Sequence, residues 1–94
     1  MNKFREALHG YKYVIEVMAD GDTWFYAGYT VDHMEIKHNM FSGRLSESTL
    51  FSPLSFKMRR LFKEIKKENP NYPARLRRIL SLKQHISGEF KVKG

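Results

Sequence analysis

The sequence predicts a small α+β domain, in which an antiparallel β-hairpin or small sheet is packed by an amphipathic basic helix and a second C-terminal element. Two patterns predict this class. Residues 11–18 alternate with the period of two that a half-buried strand requires. Residues 53–69 carry their apolar side chains at the three- and four-residue spacing of a helix. A chain of 94 residues is short enough for residues 1–94 to form one domain with a modest core.

The hairpin is predicted from two strand segments joined by turn residues. In residues 11–18 the odd positions hold tyrosine, isoleucine and valine, which favour strands, while Lys12 and Glu16 face the other way. The Asp-Gly-Asp sequence at 20–22 is typical of a tight turn, and residues 23–30 supply the returning strand. Ahead of the hairpin, residues 2–9 predict a short helical stretch.

The clearest helix signal follows a serine-proline pair. Ser52 is a preferred N-cap and Pro53 a preferred first helical residue, so the helix is predicted to begin there. It should end near Asn69-Pro70, because proline disfavours helical geometry in the residue before it. Its apolar stripe comprises Leu54, Met58, Leu61, Phe62 and Ile65.

Four other segments give weaker patterns. Asp32 followed by Glu35 resembles the start of a short helix, and residues 42–51 are polar and typical of a surface loop. Residues 74–86 fit either a helix or a strand, and their arginine- and leucine-rich composition favours the helix. The tail at 89–94 could add an edge strand guarded by its lysines.

Positive charge is concentrated in the C-terminal part of the chain. Residues 1–56 hold five Lys/Arg and seven Asp/Glu, a net −2, whereas residues 57–94 hold twelve and three, a net +9. Together they give the overall +7. This asymmetry predicts a polyanionic partner, the alternative being a basic face that is simply solvated.

Most of that charge falls on the predicted helix, on the side opposite its apolar stripe. At about 100° per residue, that side holds Lys57, Arg59, Arg60, Lys63, Lys66 and Lys67. Glu64 can neutralise only a little of it by pairing with Arg60. Phe56 lies among these cations, where its ring could stack a base of a single strand, unless it packs under the preceding loop.

A second basic cluster follows the NPNYP connector. It comprises Arg75, Arg77 and Arg78, with Lys83 beyond. Arginine matches phosphate oxygens with two parallel hydrogen bonds and also stacks on bases. If this segment packs beside the helix, we expect the two basic clusters to line one groove for nucleic acid.

Aromatic side chains of the hairpin form a possible second platform. Trp24 and Tyr26 are predicted to share one face of their strand, and Phe25 and Tyr29 the other. RNA-binding sheets stack bases on exposed rings of this kind. The alternative is that these rings form the core of the domain.

The composition gives no sign of a reactive or metal-binding site. The chain has no cysteine, which suits a reducing cytosol, and we expect a cytoplasmic protein. His33 and His38 do not have metal-ligand spacing, and no glycine-rich phosphate loop or nucleophile motif is present. No catalytic residue, metal or cofactor is therefore predicted. The chain has no apolar run of about 20 residues, so no membrane span is expected.

Part of the sequence resembles a known nuclease family. The order Tyr13-Val14-Ile15, Tyr26-Ala27-Gly28, then Ser52-Pro53-Leu54 leading into a basic helix is similar to a GIY-YIG nuclease domain, over residues 11–80. The sequence departs from that family where catalysis is concerned. Ile36 and Lys37 stand where the family places its catalytic arginine, and residues 76–80 lack its metal-binding glutamate.

The resemblance therefore implies a nucleic-acid-binding relic without nuclease activity. With the basic helix, it leads us to expect a non-enzymatic nucleic-acid-binding protein. RNA is favoured over DNA because basic and aromatic residues are mixed and no DNA-reading helix of the usual types is apparent. One alternative is a small viral or mobile-element inhibitor of a host nucleic-acid enzyme or toxin, whose protein partner an RNA could bridge. The other is a GIY-YIG-like nuclease.

Overall fold

The computed structural model describes residues 2–80, which form a four-stranded antiparallel sheet with a long helix on one face. The elements are α1 (Lys3–Leu8), β1 (Tyr11–Ala19), β2 (Asp22–Val31), β3 (Lys37–Ser42), a 3₁₀ turn (Leu45–Glu47), α2 (Phe56–Glu68) and β4 (Ala74–Leu80). The strand order is β3-β2-β1-β4. The predicted α+β class and the short N-terminal helix are confirmed.

The hairpin of β1 and β2 turns as the sequence predicts. Asp20 and Gly21 both have positive φ angles, 55° and 82°, as the two central residues of a type I′ turn do. Ala19 pairs with Asp22 across the turn, and Val17 pairs with Trp24 further along. The turn chemistry therefore sets the register of the first two strands.

A β-bulge interrupts the pairing of β2 with β3. Tyr26 pairs with Phe41 and Tyr29 pairs with Asn39, so β2 holds one residue more than β3 in this stretch. Gly28, with φ +101°, lies in the bulge, where only glycine adopts that backbone angle readily. The extra residue turns Tyr29 to the same face as Tyr26. The prediction that Tyr29 shares a face with Phe25 is therefore wrong.

The main core lies between α2 and the sheet. It comprises the buried side chains of Tyr13, Ile15, Val17, Tyr26, Phe51, Met58, Leu61 and Ile65. Tyr26 therefore belongs to the core. Phe25 is also a core residue, but it packs with Val14 and Ile79 on the opposite face of the sheet. A segment of the predicted surface loop, with Leu45 and Leu50, covers that second cluster. The loop over 42–51 is thus partly a core element.

Helix α2 begins three residues later than predicted. Ser55 is its N-cap, and the Ser55 hydroxyl accepts a hydrogen bond from the Met58 amide at 3.0 Å. Ser52 and Pro53 instead belong to a turn, in which the Ser55 amide donates to the Ser52 carbonyl. Leu54 therefore lies outside the helix and is exposed. The predicted end of the helix, at Asn69, is confirmed.

Residues 74–80 form a strand, so the preference for a helix is wrong for this part of the segment 74–86. Residues Ala74–Leu80 pair antiparallel with β1 from Val17 back to Tyr11. The open edge of β1 supplies hydrogen-bond partners that outweigh the local helix propensity of arginine and leucine. Residues 81–86 and the predicted edge strand at 89–94 lie outside the described residues.

Asp32 does not begin a helix. Its carboxylate accepts hydrogen bonds from the amides of Met34 and Ile36, at 2.8 and 3.0 Å, and so closes a turn between β2 and β3. Glu35 has a φ of 63°, which a right-handed helix cannot contain. The residues from Lys37 onward then pair with β2 as β3.

Truncation of one core side chain of α2 should test this packing. Ile65 is fully buried, so Ile65→Ala should lower the free energy of unfolding by about 2–5 kcal/mol, and Ile65→Val by about 0.5–1.5 kcal/mol. Lys63→Ala, on the opposite side of the same helix, should change it by no more than about 0.5 kcal/mol. Urea unfolding checks the three values. Equal losses for Ile65→Ala and Lys63→Ala would contradict the assigned orientation of α2.

Candidate nucleic-acid interface

The six cations predicted on α2 all project into solvent. We call the surface formed by Lys57, Arg59, Arg60, Lys63, Lys66 and Lys67 the basic face. None of the six lies within ion-pair distance of a carboxylate among residues 2–80. Burial of Met58, Leu61 and Ile65 against the sheet forces the remaining side of the helix outward, and the basic face follows from that packing.

The glutamates of α2 do not neutralise this face. Glu64 pairs with Lys37 of β3 at 3.4 Å, so the predicted pair with Arg60 is wrong. Asn39, also on β3, donates hydrogen bonds to Glu64 and to Glu68, at 3.4 and 3.0 Å. Both carboxylates point along the flank of the helix that faces β3. Because Glu64 is directed toward β3, Arg60 has no carboxylate partner among residues 2–80.

Phe56 lies at the start of α2 with its ring in solvent. The side chain is 75% exposed, so the alternative that the ring packs under the preceding loop is wrong. The guanidinium carbon of Arg59 lies 5.7 Å from the ring centroid, within the range of a cation–π contact. The ring therefore stands at the N-terminal end of the basic face, beside a free cation.

Two of the β4 arginines lie on the sheet face opposite α2. Arg75 and Arg77 flank Glu16, whose side chain is only 2% exposed. Arg75 Nε donates to one carboxylate oxygen of Glu16, and Arg77 Nη1 lies 3.4 Å from the other. A buried carboxylate requires this compensation, so both arginines have a partner within the fold, and the single negative charge of Glu16 balances one of their two positive charges.

Arg78 is held by the other buried carboxylate. Its Nη1 donates to Glu6 of α1 at 2.9 Å. The Tyr13 hydroxyl also donates to Glu6 at 2.9 Å, and Lys3 Nζ donates to that hydroxyl at 2.8 Å. Arg75, Arg77 and Arg78 consequently do not form the predicted common groove with the basic face. Lys83 lies outside the described residues.

A groove that the sequence did not predict lies between the basic face and β3. It has a volume of about 220 Å³ and is lined by Tyr26, Tyr29, Lys37, Lys57, Arg60, Leu61 and Glu64. Burial raises the pKa of Tyr26, so this phenol stays protonated at neutral pH. Tyr29 is half-exposed, with Lys37 Nζ 5.1 Å from its ring centroid. Only the bulge at Gly28 brings Tyr29 here, and a strict alternation of strand faces could not reveal it.

Some of the positions that carry the nuclease resemblance are buried, whereas Leu54 is exposed. Tyr13 and Tyr26 are both buried in the main core, and residues 76–80 belong to β4. Within residues 2–80, no group of three or more histidine or acidic side chains is close enough to hold a metal ion. Neither α1 nor α2 is long and apolar enough to cross a membrane.

Comparison of the chain with protein-family models, with curated proteins and with solved structures gave no match.

The ion pair of Arg78 with Glu6 should make the free energy of unfolding depend on pH. The hydrogen bond from Arg78 is the largest cause that holds the pKa of Glu6 below its ordinary value of 4.5. Tyr13 and Lys3 lower this pKa further, and burial acts in the opposite direction. A depressed pKa stabilises the fold above that value and ceases to do so as the pH falls through the folded-state pKa. Glu6→Gln should therefore be less stable than the wild type at pH 7, and the difference should narrow on acidification.

Urea unfolding at a series of pH values measures that difference. Asp32, whose pKa His38 lowers, titrates in both proteins and so cancels in the comparison. Two stability curves that stay parallel from pH 7 to pH 3 would show that Glu6 is not ionised within this network.

Proposed function

We propose that this protein is a non-enzymatic binder of single-stranded nucleic acid, RNA ahead of DNA, and that it contacts the phosphate chain with the basic face of α2. The observation that carries the proposal is the set of six exposed cations that no carboxylate of residues 2–80 neutralises. Lys57 to Lys67 spans ten helical rises, so these charges lie along about 15 Å of helix axis. A chain of phosphates supplies anions at comparable spacing.

Electrostatics favours such a partner over solvent alone. Cations at three- and four-residue spacing repel one another on a helix, and here the acidic residues that could offset the repulsion face β3. Binding of a polyanion relieves that repulsion and releases the counterions condensed on the nucleic acid. The free energy of binding then depends strongly on salt.

The exposed rings support a single strand rather than a duplex. Phe56 stands in solvent beside Arg59, and Tyr29 stands in the groove beside Lys37. Every base has a π-face, so rings next to phosphate-binding cations bind single strands without reading their sequence. In a duplex the bases are stacked on each other and offer no such face to these rings.

The proposal limits the interface to one side of the molecule. The β4 arginines contribute to the stability of the fold through Glu6 and Glu16, and the binding surface is α2 with its groove toward β3. The surface is therefore smaller than the number of basic residues in the C-terminal half suggests.

Charge reversal on the basic face should remove binding. We expect Arg59→Glu with Lys63→Glu to abolish binding of a labelled single-stranded RNA while the protein remains folded, because neither side chain is part of the core. Arg5→Glu with Arg44→Glu is the matched control: both are exposed and lie outside α2, and both doubles change the net charge from +7 to +3. The control double should bind RNA nearly as the wild type does.

Fluorescence anisotropy at several salt concentrations measures these affinities. If all six cations engage phosphates, the log–log slope of affinity against salt should be about −4, at about 0.7 for each phosphate. Equal loss of binding in both doubles would mean that overall charge, and not the basic face, drives association. The RNA should be recovered uncut after incubation with Mg²⁺. Cleavage that a chelator prevents would favour the nuclease alternative.

Removal of one exposed ring should weaken binding without affecting the fold. Phe56→Ala should lower the affinity for single-stranded RNA by about 5- to 150-fold, the range for loss of one base–aromatic stack. Phe4→Ala serves as the control, since Phe4 is also highly exposed but lies on α1. Anisotropy titrations and thermal melts compare the two variants. An unchanged affinity in Phe56→Ala would remove Phe56 from the interface.

A further inference from the structure

Two half-exposed aromatic rings line a pocket at the C-terminal end of α2. The pocket has a volume of about 260 Å³ and is lined by Val17, Ala19, Asp20, Trp24, Phe41, Asn69 and Tyr72. Trp24 is 38% exposed and Tyr72 is 40% exposed, although both are large aromatic side chains beside the main core. Rings in this position could gain free energy by covering their exposed surface with a flat ligand.

The backbone on each side of this pocket is fixed. Trp24 lies directly opposite Val17, close to the type I′ turn that closes the hairpin. Tyr72 lies in the connector, where its amide donates to the Asn69 carbonyl at 3.2 Å. The connector is in turn attached to β1, because the Met18 amide donates to the Pro73 carbonyl at 2.9 Å. The backbone that carries the two rings is thus positioned before any ligand binds, which lowers the entropic cost of binding.

The polar groups of the pocket suit the edge of a nucleobase. Asn69 Nδ2 donates to the Ile65 carbonyl at 3.0 Å, while the Asn69 side-chain oxygen accepts no hydrogen bond within the described residues. Asp20 adds a carboxylate at the rim. Both groups are acceptors for an amino or imino N–H, whereas the carboxylate would repel a phosphate. The pocket therefore matches a base and not the backbone of a nucleotide.

The phosphate-binding part of such a ligand would lie on the neighbouring surface. Asn69 and Tyr72 also line a second, shallow depression, whose wall includes Lys66 of the basic face. Tyr72 is thus shared between the aromatic pocket and the positive surface. Phe56, at the other end of the helix, is thirteen residues from Asn69, or about 20 Å along the axis. A single strand that contacts both rings must span that distance.

We infer that the pocket of Trp24 and Tyr72 binds one base of an RNA single strand whose phosphates run along the basic face. This inference rests on the proposed function, since the same strand must contact α2. It adds a fixed end point to the path of the strand and a minimum length for tight binding.

The chain contains one tryptophan, Trp24, which lines this pocket and also a neighbouring depression with Met40 and Arg44. Its fluorescence therefore reports on the surroundings of this ring, and variants of Tyr72 assign a change to the pocket. The ligands are an oligouridylate RNA of about twelve nucleotides and an abasic sugar–phosphate strand of the same length, each with an end label. Anisotropy of the label measures binding, and quenching of Trp24 measures occupancy of the pocket. We expect both strands to bind, and only the RNA with bases to quench Trp24.

Variants of Tyr72 complete the test. Tyr72→Ala should weaken binding of the oligouridylate by about 5- to 150-fold, leave binding of the abasic strand unchanged and reduce the quenching. Tyr72→Phe keeps the ring and should behave as the wild type.

The outcomes separate the two proposals. The pocket would be overturned if both strands bind and change the Trp24 fluorescence equally. It would also be overturned if Tyr72→Ala binds the oligouridylate as tightly as the wild type does. In either case the basic face would remain the binding surface. Failure of both strands to bind would overturn the proposed function and this inference with it.

Discussion

The buried carboxylates of Glu6 and Glu16 determine which of the described cations have an ion-pair partner within the sheet. An ionised carboxylate at 2–4% side-chain exposure is stable only with a positive partner and further hydrogen bonds. The arginines of β4 supply that partner on both faces of the sheet, with Tyr13 and Lys3 completing the set around Glu6. Between residues 57 and 80, the cations thus divide into one group that stabilises the sheet and a second group, on α2, that remains available.

The same packing places the positive charge of α2 on one side of the helix. Helix α2 buries Met58, Leu61 and Ile65 against β1 and turns its glutamates toward β3, so positive charge remains only on its outer side. Phe56 marks one end of that side, and Tyr72 marks the other. A strand bound there would meet cations in the middle and an aromatic ring at each end, which is an arrangement that tolerates many base sequences.

The sequence predicted those features that depend on neighbouring residues. The tight turn of the hairpin, the end of α2 at Asn69 and the basic face follow from local spacing, and all three are present in the fold. The strand β4 was predicted only as the less favoured alternative to a helix, because its partner, β1, lies about 60 residues away, and local propensity carries no information about that pairing. The pairs of Arg75 and Arg77 with Glu16 were missed for the same reason. The true N-cap, Ser55, was hidden by a serine-proline pair that forms a turn instead.

The bulge in β2 affects the shape of the groove beside the basic face. Between the pairs Tyr26–Phe41 and Tyr29–Asn39, two residues of β2 lie opposite one residue of β3, which bends the strand and increases its local twist. The width of the groove is therefore determined by the course of the backbone, while its charge is determined by Lys37, Lys57, Arg60 and Glu64. A charge reversal at one of these four positions consequently changes the electrostatic potential of the groove and leaves the bulge, with its glycine backbone angle, in place.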